Sequence, residues 1–220
     1  MEDIQNLDLE AINRNFNVEL QQQIGGTLPK GHVYQMGMPG LILQSAGISY
    51  LPIELSADRL QIKAGEHYRQ NHPFDLVEIN DLPSAINSPI AVFDSTKKDN
   101  SKVILTELQH EDSNFIAILR VRHSANSRKL SVEVNSVRSI YPKGNVLGIV
   151  DWINSKDELL RWIDKEKAMR FISTQSTHLI AGGNKTQDLI NTAKIINNFE
   201  NPTILAEKSQ KSFSKSRLVG

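Results

Sequence analysis

Apolar positions recur with a helical period at the start of the chain. Over residues 8–24 they are spaced by three or four residues, at Leu9, Ile12, Phe16, Leu20 and Ile24. This spacing places them on one face of a helix, which Asp8 can cap and which Gly25 and Gly26 end. The pattern therefore predicts an amphipathic helix over 8–24, the main element of an N-terminal unit spanning 1–27.

Short elements separated by proline and glycine follow this helix. Asp75 and Glu78 have the spacing of a capping box, in which side chains bond backbone amides at the start of a helix. Pro83 suits a first helical turn, because proline there loses no hydrogen bond. The segment predicts an extended stretch over 32–36, a helix over 39–46, a strand over 51–56, a helix over 57–66 and two helical turns over 71–89.

The hydrophobic period becomes alternating in the centre of the chain. Four runs rich in β-branched residues follow one another: IAVFDS (90–95), KVILTELQ (102–109), NFIAILRVR (114–122) and LSVEVNSVRSIY (130–141). Short polar links join them, and consecutive strands with such links pair most simply as hairpins. We therefore expect a four-stranded, mainly antiparallel sheet.

Helical patterning returns after the fourth run. Ser155 and Glu158 are spaced as a capping box for a helical turn through Leu159, Leu160 and Trp162. The expected fold class is therefore α+β, with N-terminal helices, the sheet, and C-terminal helices packed on it. The remaining predicted elements are a helix over 164–173 capped by Asp164, a loop over 174–184 and a last helix over 185–199.

Composition narrows the possible chemistry. The 220 residues are 39% hydrophobic and include no cysteine, which excludes thiolate catalysis, zinc–cysteine sites and disulfides. The first twenty residues are acidic and lack the apolar core of a signal peptide. No stretch approaches the roughly 18 consecutive apolar residues of a membrane helix. We therefore expect a soluble, cytoplasmic protein that does not bind membranes.

Charge is balanced overall but unevenly distributed. The 25 basic and 25 acidic side chains cancel, which argues against bulk electrostatic attraction to nucleic acid. A Ser/Lys-rich tail over 203–220 is basic and is predicted to be disordered. The middle of the chain is also basic, and such a segment is either an anion-binding surface or a solvated face. Its cations are Arg120, Arg122, Arg128, Lys129, Arg138 and Lys143.

Motifs of the common enzyme classes are absent from the sequence. There is no HExxH, no histidine–carboxylate spacing suited to a metal, no P-loop, no GxGxxG and no GxSxG. Their absence argues against the common metallohydrolases, kinases, nicotinamide-dependent enzymes and serine hydrolases. We therefore expect neither a metal nor an organic cofactor.

Nine phrases along the chain occur together in one known family. They are LPKGHVYQMG (28–37), LPIELSADRL (51–60), HPFDL (72–76), SPIAVFDS (88–95), KVILTEL (102–108), EVNSVRSIYPK (133–143), DWIN (151–154), DKEKA (164–168) and AKIINNFENP (193–202). Their number and order resemble the C-terminal domain of phage MuF-type proteins, known from phages, prophages and other mobile elements. The resemblance implies a MuF C-terminal-like domain over 28–173, followed by a loop and helix over 174–202.

This resemblance implies a phage or mobile-element effector. Domains at that position are frequently polymorphic toxins, and many resemble the barnase–EndoU–colicin–RelE nucleases, which cleave RNA without a metal through the substrate's 2′-hydroxyl. The implied partners are RNA, other phage or mobile-element proteins, or an immunity protein. The alternative is a non-catalytic accessory domain that docks onto another part of a larger phage or mobile-element protein. Fold-level likeness alone does not decide between them.

Metal-free RNA cleavage needs a base, an acid and a cation near the phosphate. The phrase EVNSVRSIYPK supplies Arg138, Ser139, Tyr141 and Lys143. On a regular strand Ser139 and Tyr141 share a face about 7 Å apart while Arg138 points the other way. A cleft that uses all four residues therefore requires a bulge or a strand end. Otherwise they form an exposed strand end with a tyrosine over the core.

Two histidines are candidates for the acid–base partner. His72 precedes Pro73, which favours an extended backbone and a fixed side-chain position. His32 lies close to Lys30, which could contact phosphate. A histidine can act as base or acid because its pKa lies near neutrality. Either side chain could instead only bond nearby backbone groups.

Glu107 is a carboxylate among core-type residues of the run KVILTELQ. If its side chain faces the core end of the sheet, it needs a partner, since an unpaired buried charge is costly. Arg120 or Arg138 from a neighbouring strand could supply that partner. Such a pair would either orient catalytic groups or merely satisfy the sheet.

Overall fold

The structure, a computed structural model, describes most of the chain. The described residues are 2–64, 74–96, 99–111, 113–127, 130–143, 150, 153–154, 157–179 and 185–202. Several sequence expectations lie outside them, among them the position of His72, the cap at Ser155, Arg128 and Lys129, and the basic tail over 203–220. The structure therefore bears on the sheet, on the helices around it and on most of the candidate site.

Helices precede and follow the sheet in the described chain. They are α1 (Glu2–Ile24), α2 (Leu41–Ser45), α3 (Ala57–Ala64), α4 (Leu82–Asn87), α5 (Lys165–Leu179) and α6 (Lys185–Asn198). Two 3-10 turns, Leu76–Ile79 and Asp157–Leu159, lie between these helices, and residues 150 and 153–154 are also helical. None of these helices combines the length and apolarity needed to cross a membrane. The predicted helices around the sheet are confirmed.

One sheet runs through the middle of the molecule. Its strands are β1 (Val33–Gln35), β2 (Ile53–Ser56), β3 (Ala91–Asp94), β4 (Ser101–His110), β5 (Ser113–Ser127), β6 (Leu130–Pro142) and β7 (Leu160–Ile163). They lie in the order β1-β2-β6-β5-β4-β3-β7. β2 runs parallel to β6, and the other neighbours are antiparallel.

The predicted meander is confirmed and forms the centre of this sheet. β3, β4, β5 and β6 are antiparallel neighbours in sequence order. The predicted count of four strands is wrong, because the described sheet has seven. β1 and β2 extend it beyond β6, and β7 extends it beyond β3. Both extensions pair residues that are distant in the chain. The hairpin pattern in a sequence indicates pairing only between strands joined by a short turn, so it did not predict these pairs.

β7 corrects the helical turn predicted through Leu160 and Trp162. These residues form a strand that pairs with β3, with Trp162 opposite Val92. Trp162 packs on one face of the sheet, whereas Leu160 and Ile163 pack on the other. A strand that is buried on both faces has a continuous run of apolar residues and no alternation of apolar and polar residues. The run LLRWI therefore lacked the period that marks a half-buried strand.

Each face of the sheet carries its own hydrophobic core. The first face packs against the N-terminal helices, through residues such as Phe16, Leu20, Leu43, Leu60 and Ile86. The second face packs against α5 and α6, through Ala168, Phe171, Ile172 and Ile196. The molecule is thus three layers thick, with the sheet in the middle. The sheet therefore separates side chains of the first core from those of the second.

A buried asparagine fixes the parallel strand beside β6. Asn135 is fully buried, and its Nδ2 donates to the carbonyl oxygens of Ser49 at 2.7 Å and Leu51 at 2.8 Å. The Asn135 backbone N–H also donates to the Pro52 carbonyl at 2.8 Å. These bonds satisfy the buried amide of Asn135 with backbone carbonyl groups of the segment ahead of β2. They hold β2, and α3 directly after it, against β6.

Asp164 caps α5 as the sequence predicted. Its Oδ1 accepts the Lys167 backbone N–H at 2.9 Å. The helix then continues to Leu179, into the segment predicted to be a loop. Serine and threonine there have modest helix propensity but do not end a helix, and no glycine occurs before Gly182. The predicted end at residue 173 was therefore too early.

An ion-paired carboxylate joins β3, β4 and β7. Asp94 Oδ1 accepts from Lys102 Nζ at 2.6 Å, and Asp94 Oδ2 accepts from Arg161 Nε at 2.6 Å. Burial opposes ionisation of Asp94, but the hydrogen bonds and charges of Lys102 and Arg161 outweigh it and lower the Asp94 pKa. Because the folded pKa is lowered, the carboxylate stabilises the protein above its unfolded pKa. That stabilisation is lost as pH falls through the folded value.

Asp94→Asn is expected to reduce the free energy of unfolding at pH 7 by about 1–3 kcal/mol, the usual cost of leaving a buried polar group unpaired. The reason is that Lys102, with 14% of its side chain exposed, loses its carboxylate partner. The variant should also lose less stability than the wild type below about pH 4. Urea unfolding at several pH values measures both effects. The exposed Asp99→Asn is the matched control, and equal acid sensitivity of Asp94→Asn and the wild type would contradict the assignment.

Candidate functional site

The candidate strand β6 lies beside β5 in the sheet, and its register places three cross-strand pairs on the second face. Tyr141 lies opposite Ile116, Ser139 opposite Ile118, and Ser136 opposite Arg120. Directly paired residues project from the same face of a sheet. Ser139, Tyr141 and Arg120 therefore lie on one face, as the alternation in the sequence predicted for the first two.

Arg138 occupies an irregularity in this register. The pairing steps from Val137 opposite Leu119 to Ser139 opposite Ile118, so that Arg138 has no partner residue on β5. An extra residue of this kind is a β-bulge, which bends the strand and redirects its side chain. The sequence argument required a bulge or a strand end here, and the structure has a bulge at Arg138.

Two other arginines lie near enough for their charges to act on Arg138 at this bulge. Burial lowers the pKa of Arg138, and the positive charges of Arg59 and Arg120 lower it further. Arg59 belongs to α3, which begins directly after β2, and β2 runs parallel to β6 with Glu54 opposite Ser136. Arg59, Arg138 and Arg120 are called the arginine cluster below. Like charges held together in a fold favour an anion between them.

Arg120 of the arginine cluster lies where the second face of the sheet is least covered, whereas Arg59 comes from α3, which packs on the first face. Gln35, Glu54, Ser136 and Arg120 form a row across β1, β2, β6 and β5. Gln35 and Arg120 are exposed, and Glu54 and Ser136 are half-buried. Within the described chain, the core under α5 and α6 includes no residue of β1 or β2. An extended ligand could therefore reach this row of the sheet.

Tyr141 stands at the boundary between this open surface and the second core. It is half-buried and packs against that core, and burial raises its pKa above the usual value. A phenol with a raised pKa keeps its proton at neutral pH, so it can donate a hydrogen bond or a proton but cannot act as a base. Ser139 lies two residues away on the same face, about 7 Å along the strand.

Lys143 follows the end of β6. Its backbone N–H donates to the Asn114 carbonyl at 2.8 Å, and its side chain is half-buried. The other members of the basic segment spread apart. Arg122 Nε donates to Ser49 Oγ at 2.8 Å, while Arg128 and Lys129 lie outside the described residues. Among its described residues the basic segment thus does not form one continuous surface, and Arg120 and Arg138 are its members in the arginine cluster.

His32 lies on the opposite side of the sheet from Tyr141. Its Nε2 is 3.1 Å from Glu19 Oε2, and its ring packs edge-on against Tyr34, with 5.1 Å between centroids. Tyr34 belongs to the first core, whereas Tyr141 packs against the second. The structure therefore does not bring His32 together with the β6 residues. His72, the other histidine candidate, lies outside the described residues.

Glu107 has partners other than those expected from the sequence. Its Oε2 is 2.7 Å from Lys167 Nζ, and its Oε1 is 3.7 Å from an Arg170 guanidinium nitrogen. Both cations belong to α5, not to the neighbouring strands that carry Arg120 and Arg138. The expectation that a strand arginine pairs with Glu107 is therefore wrong, because α5 packs across this end of the sheet.

Sequence reasoning also missed two groups near functional chemistry. Arg59 of α3 belongs to the arginine cluster. A single arginine on a short helix gave no sequence indication of this role. His110 Nδ1 lies 2.8 Å from Glu78 Oε1, on the side of the 3-10 turn. The capping-box spacing did signal Glu78, whose Oε2 accepts the Asp75 backbone N–H at 2.8 Å. Its second role, holding His110, depends on tertiary contact.

Comparisons with known proteins place part of the chain in a family. Curated proteins and solved structures give no significant match. A family model described as the phage MuF-C-terminal domain matches residues 63–170. That segment contains β3 to β7, Arg120, Arg138 and Tyr141, but it leaves out α1, β1, β2 and Arg59. Over residues 63–170 the chain is therefore similar to the phage MuF C-terminal domain family.

Proposed function

We propose that this phage-family domain is a mobile-element effector that binds RNA on the open sheet face and cleaves it without a metal. The observation that supports RNA binding is the arginine cluster, in which the charges of Arg59 and Arg120 act on Arg138 at the bulge of β6. Guanidinium groups bind phosphate in a bidentate manner. Glu54 lies in the same row as Arg120, and the cations of the cluster outnumber it.

In the proposed reaction a base removes the proton of the 2′-hydroxyl, and the 2′-oxygen bonds to phosphorus. The bond from phosphorus to the 5′-oxygen breaks, and that oxygen takes a proton from an acid. The products are a 2′,3′-cyclic phosphate and a 5′-hydroxyl. Arg138 and Arg120 would stabilise the charge on the crowded phosphate.

Tyr141 is the proposed acid. Its hydroxyl holds a proton at neutral pH, as any phenol does, and burial raises its pKa further. It lies within a few residues of Arg138 on the same strand. Ser139 and Lys143 would contact the phosphate or the ribose beside Tyr141. His72 is the proposed base on the sequence argument alone. His32 is left out of the reaction, because its contacts with Glu19 and Tyr34 hold it on the first face.

The full chain is expected to cut labelled single-stranded RNA in the presence of excess chelator and to leave DNA of the same sequence intact. DNA lacks the 2′-hydroxyl that the proposed reaction uses as its nucleophile. Gel analysis gives the cleavage rate, and mass spectrometry of the fragments identifies the 2′,3′-cyclic phosphate. His72→Ala should abolish cleavage, while His32→Ala, provided that it folds, should retain it.

Two outcomes would reject this function. Cleavage that chelation abolishes would show a metal-dependent reaction. RNA that stays intact at enzyme excess, with the protein folded, would favour the accessory domain that docks onto another phage or mobile-element protein. RNA binding without cleavage would keep the role of the arginine cluster and remove the proposed catalysis.

A further inference from the structure

A polar pair lies on the open face of the sheet, in the same row as Arg120. Gln35 of β1 is directly opposite Glu54 of β2, and Gln35 Nε2 donates to Glu54 Oε1 at 3.4 Å. Gln35 is exposed and Glu54 is half-buried. The proposed cleavage reaction uses neither side chain. Because their mutual hydrogen bond is long, both keep most of their capacity to bond a ligand.

Both side chains project from the face that α5 and α6 leave open. Ile53 and Leu55, on either side of Glu54, are buried in the first core, so Glu54 points to the second face. Gln35 is directly opposite Glu54 and therefore shares that face. In the described chain, the core under α5 and α6 contains no residue of β1 or β2. A ligand can therefore approach the pair from solvent.

The Glu54 carboxylate has an oxygen that such a ligand can reach. Oε1 accepts from Gln35, whereas Oε2 has neither a hydrogen-bond partner nor an ion-pair partner among the described residues. In the same part of the chain, the fully buried side-chain atoms without a partner are all asparagine oxygens. Glu54 Oε2 is therefore in contact with solvent, and no cation of the described chain occupies it.

Arg120 lies two strands away from Glu54 along the row. Ser136 stands between them, paired with Glu54 on one side and with Arg120 on the other. Neighbouring strands are about 4.8 Å apart, so roughly 10 Å separates the backbones at Glu54 and Arg120. One nucleotide spans a comparable distance between the pairing edge of its base and its phosphate. The small side chain of Ser136 leaves room for a base above β6.

The hydrogen-bonding groups of the pair complement guanine. The pairing edge of guanine presents the acceptor O6, followed by two donors, N1–H and N2–H. A glutamine amide can donate to the acceptor, and a carboxylate can accept both donors. Uracil has one donor between two acceptors, cytosine has one donor beside two acceptors, and adenine has one donor beside an acceptor. Each of these would place an acceptor against the carboxylate or leave one of its oxygens without a donor.

We propose that Gln35 and Glu54 select a guanosine of single-stranded RNA. Glu54 accepts N1–H and N2–H, Gln35 donates to O6, and Arg120 binds the phosphate of the same nucleotide. The guanosine must be unpaired, because base pairing would occupy the same edge. This inference rests on the proposed binding of RNA at the open sheet face, and it names the base that is preferred there. It does not depend on cleavage.

The test measures the affinity of the full chain for short oligouridines that carry a central guanosine, 7-deazaguanosine, inosine or uridine. Every ribose is 2′-O-methylated, so that no 2′-hydroxyl can attack and binding is measured apart from cleavage. Guanosine and 7-deazaguanosine are expected to bind equally, because both keep O6, N1–H and N2–H. Inosine lacks the N2 amino group and should bind about tenfold more weakly, the effect of one lost hydrogen bond to a charged group. Uridine should bind at least as weakly as inosine.

Glu54→Gln should remove the preference for guanosine and keep the affinity for the all-uridine probe. The new side chain has one acceptor and one donor in place of two acceptors, so one base N–H loses its partner. Glu133→Gln is the matched control, because Glu133 is an exposed carboxylate of β6 outside the row. It removes the same charge and should retain the full preference. Fluorescence anisotropy gives the affinities, and thermal unfolding shows whether each variant is folded.

Equal affinity for the guanosine and all-uridine probes would overturn the guanosine preference and leave RNA binding in place. Equal effects of Glu54→Gln and Glu133→Gln would overturn it as well. A 7-deazaguanosine probe as weak as inosine would also overturn it, because the base would then be recognised through N7. If none of the probes binds, RNA binding on the open face and guanosine selection are both rejected.

Discussion

Replacement of Tyr141 by phenylalanine is expected to slow RNA cleavage by about 10²–10⁴-fold, the usual contribution of a general acid or base. The change removes the hydroxyl alone, and the ring that packs against the second core is kept. We therefore expect little change in the melting temperature and in the affinity for RNA. Single-turnover cleavage rates, measured with RNA binding and thermal unfolding, separate these effects.

Tyr50→Phe is the control for the tyrosine prediction. Tyr50 is 65% exposed and precedes β2, away from the bulge of β6. Loss of the same hydroxyl there should leave the rate unchanged. A Tyr141→Phe variant that cleaves at the wild-type rate would show that Tyr141 only packs. A rate lost together with the folded state would show a structural role instead.

Removal of the arginine cluster is expected to abolish most of the affinity for single-stranded RNA. Arg120→Ala and Arg138→Ala should each weaken binding by about tenfold or more, in line with a lost hydrogen bond to a charged group. Each neutralised phosphate contributes about 0.7 to the slope of log affinity against log salt on single strands. The double variant should therefore lower that slope by about 1.4.

Stability measurements distinguish a binding role of these arginines from a structural one. Because the positive charge of Arg120 lowers the Arg138 pKa, the two guanidinium groups repel each other in the fold. Arg120→Ala should therefore maintain or raise the free energy of unfolding while it weakens RNA binding. Arg14→Ala, on α1, should change neither quantity. An unaltered salt slope in the double variant would contradict the proposed binding face.

The sequence predicted those parts of the fold that depend on local pattern. The alternation in KVILTELQ and NFIAILRVR indicates two strands joined by a short link. The sequence therefore predicted both β4 and β5 and their antiparallel pairing. The pairing of β2 with β6 depends on a hydrogen bond between Asn135 and Ser49, which are 86 residues apart. No local sequence pattern indicates that these two residues are in contact. β7 was missed because both of its faces are buried, which removes the alternation.

The candidate site was predictable to the same extent. Ser139 and Tyr141 share a face because alternation along β6 is a local property. The position of Arg138 depends on a bulge, which is set by the pairing with β5. Arg59 reaches the cluster only because β2 lies parallel to β6. His32 was assigned to the same chemistry from its residue type, whereas its packing with Tyr34 places it on the other face.

The parallel pairing of β2 with β6 has a consequence for synthesis of the chain on the ribosome. Ser49, just ahead of β2, is made 86 residues before Asn135, the side chain that anchors this segment. At about 5–20 residues per second, β2 waits for its partner for roughly 4–17 s. During that interval a nascent chain exposes Ile53 and Leu55, which are buried in the finished protein. Chaperones that bind short apolar segments would meet this part of the chain first.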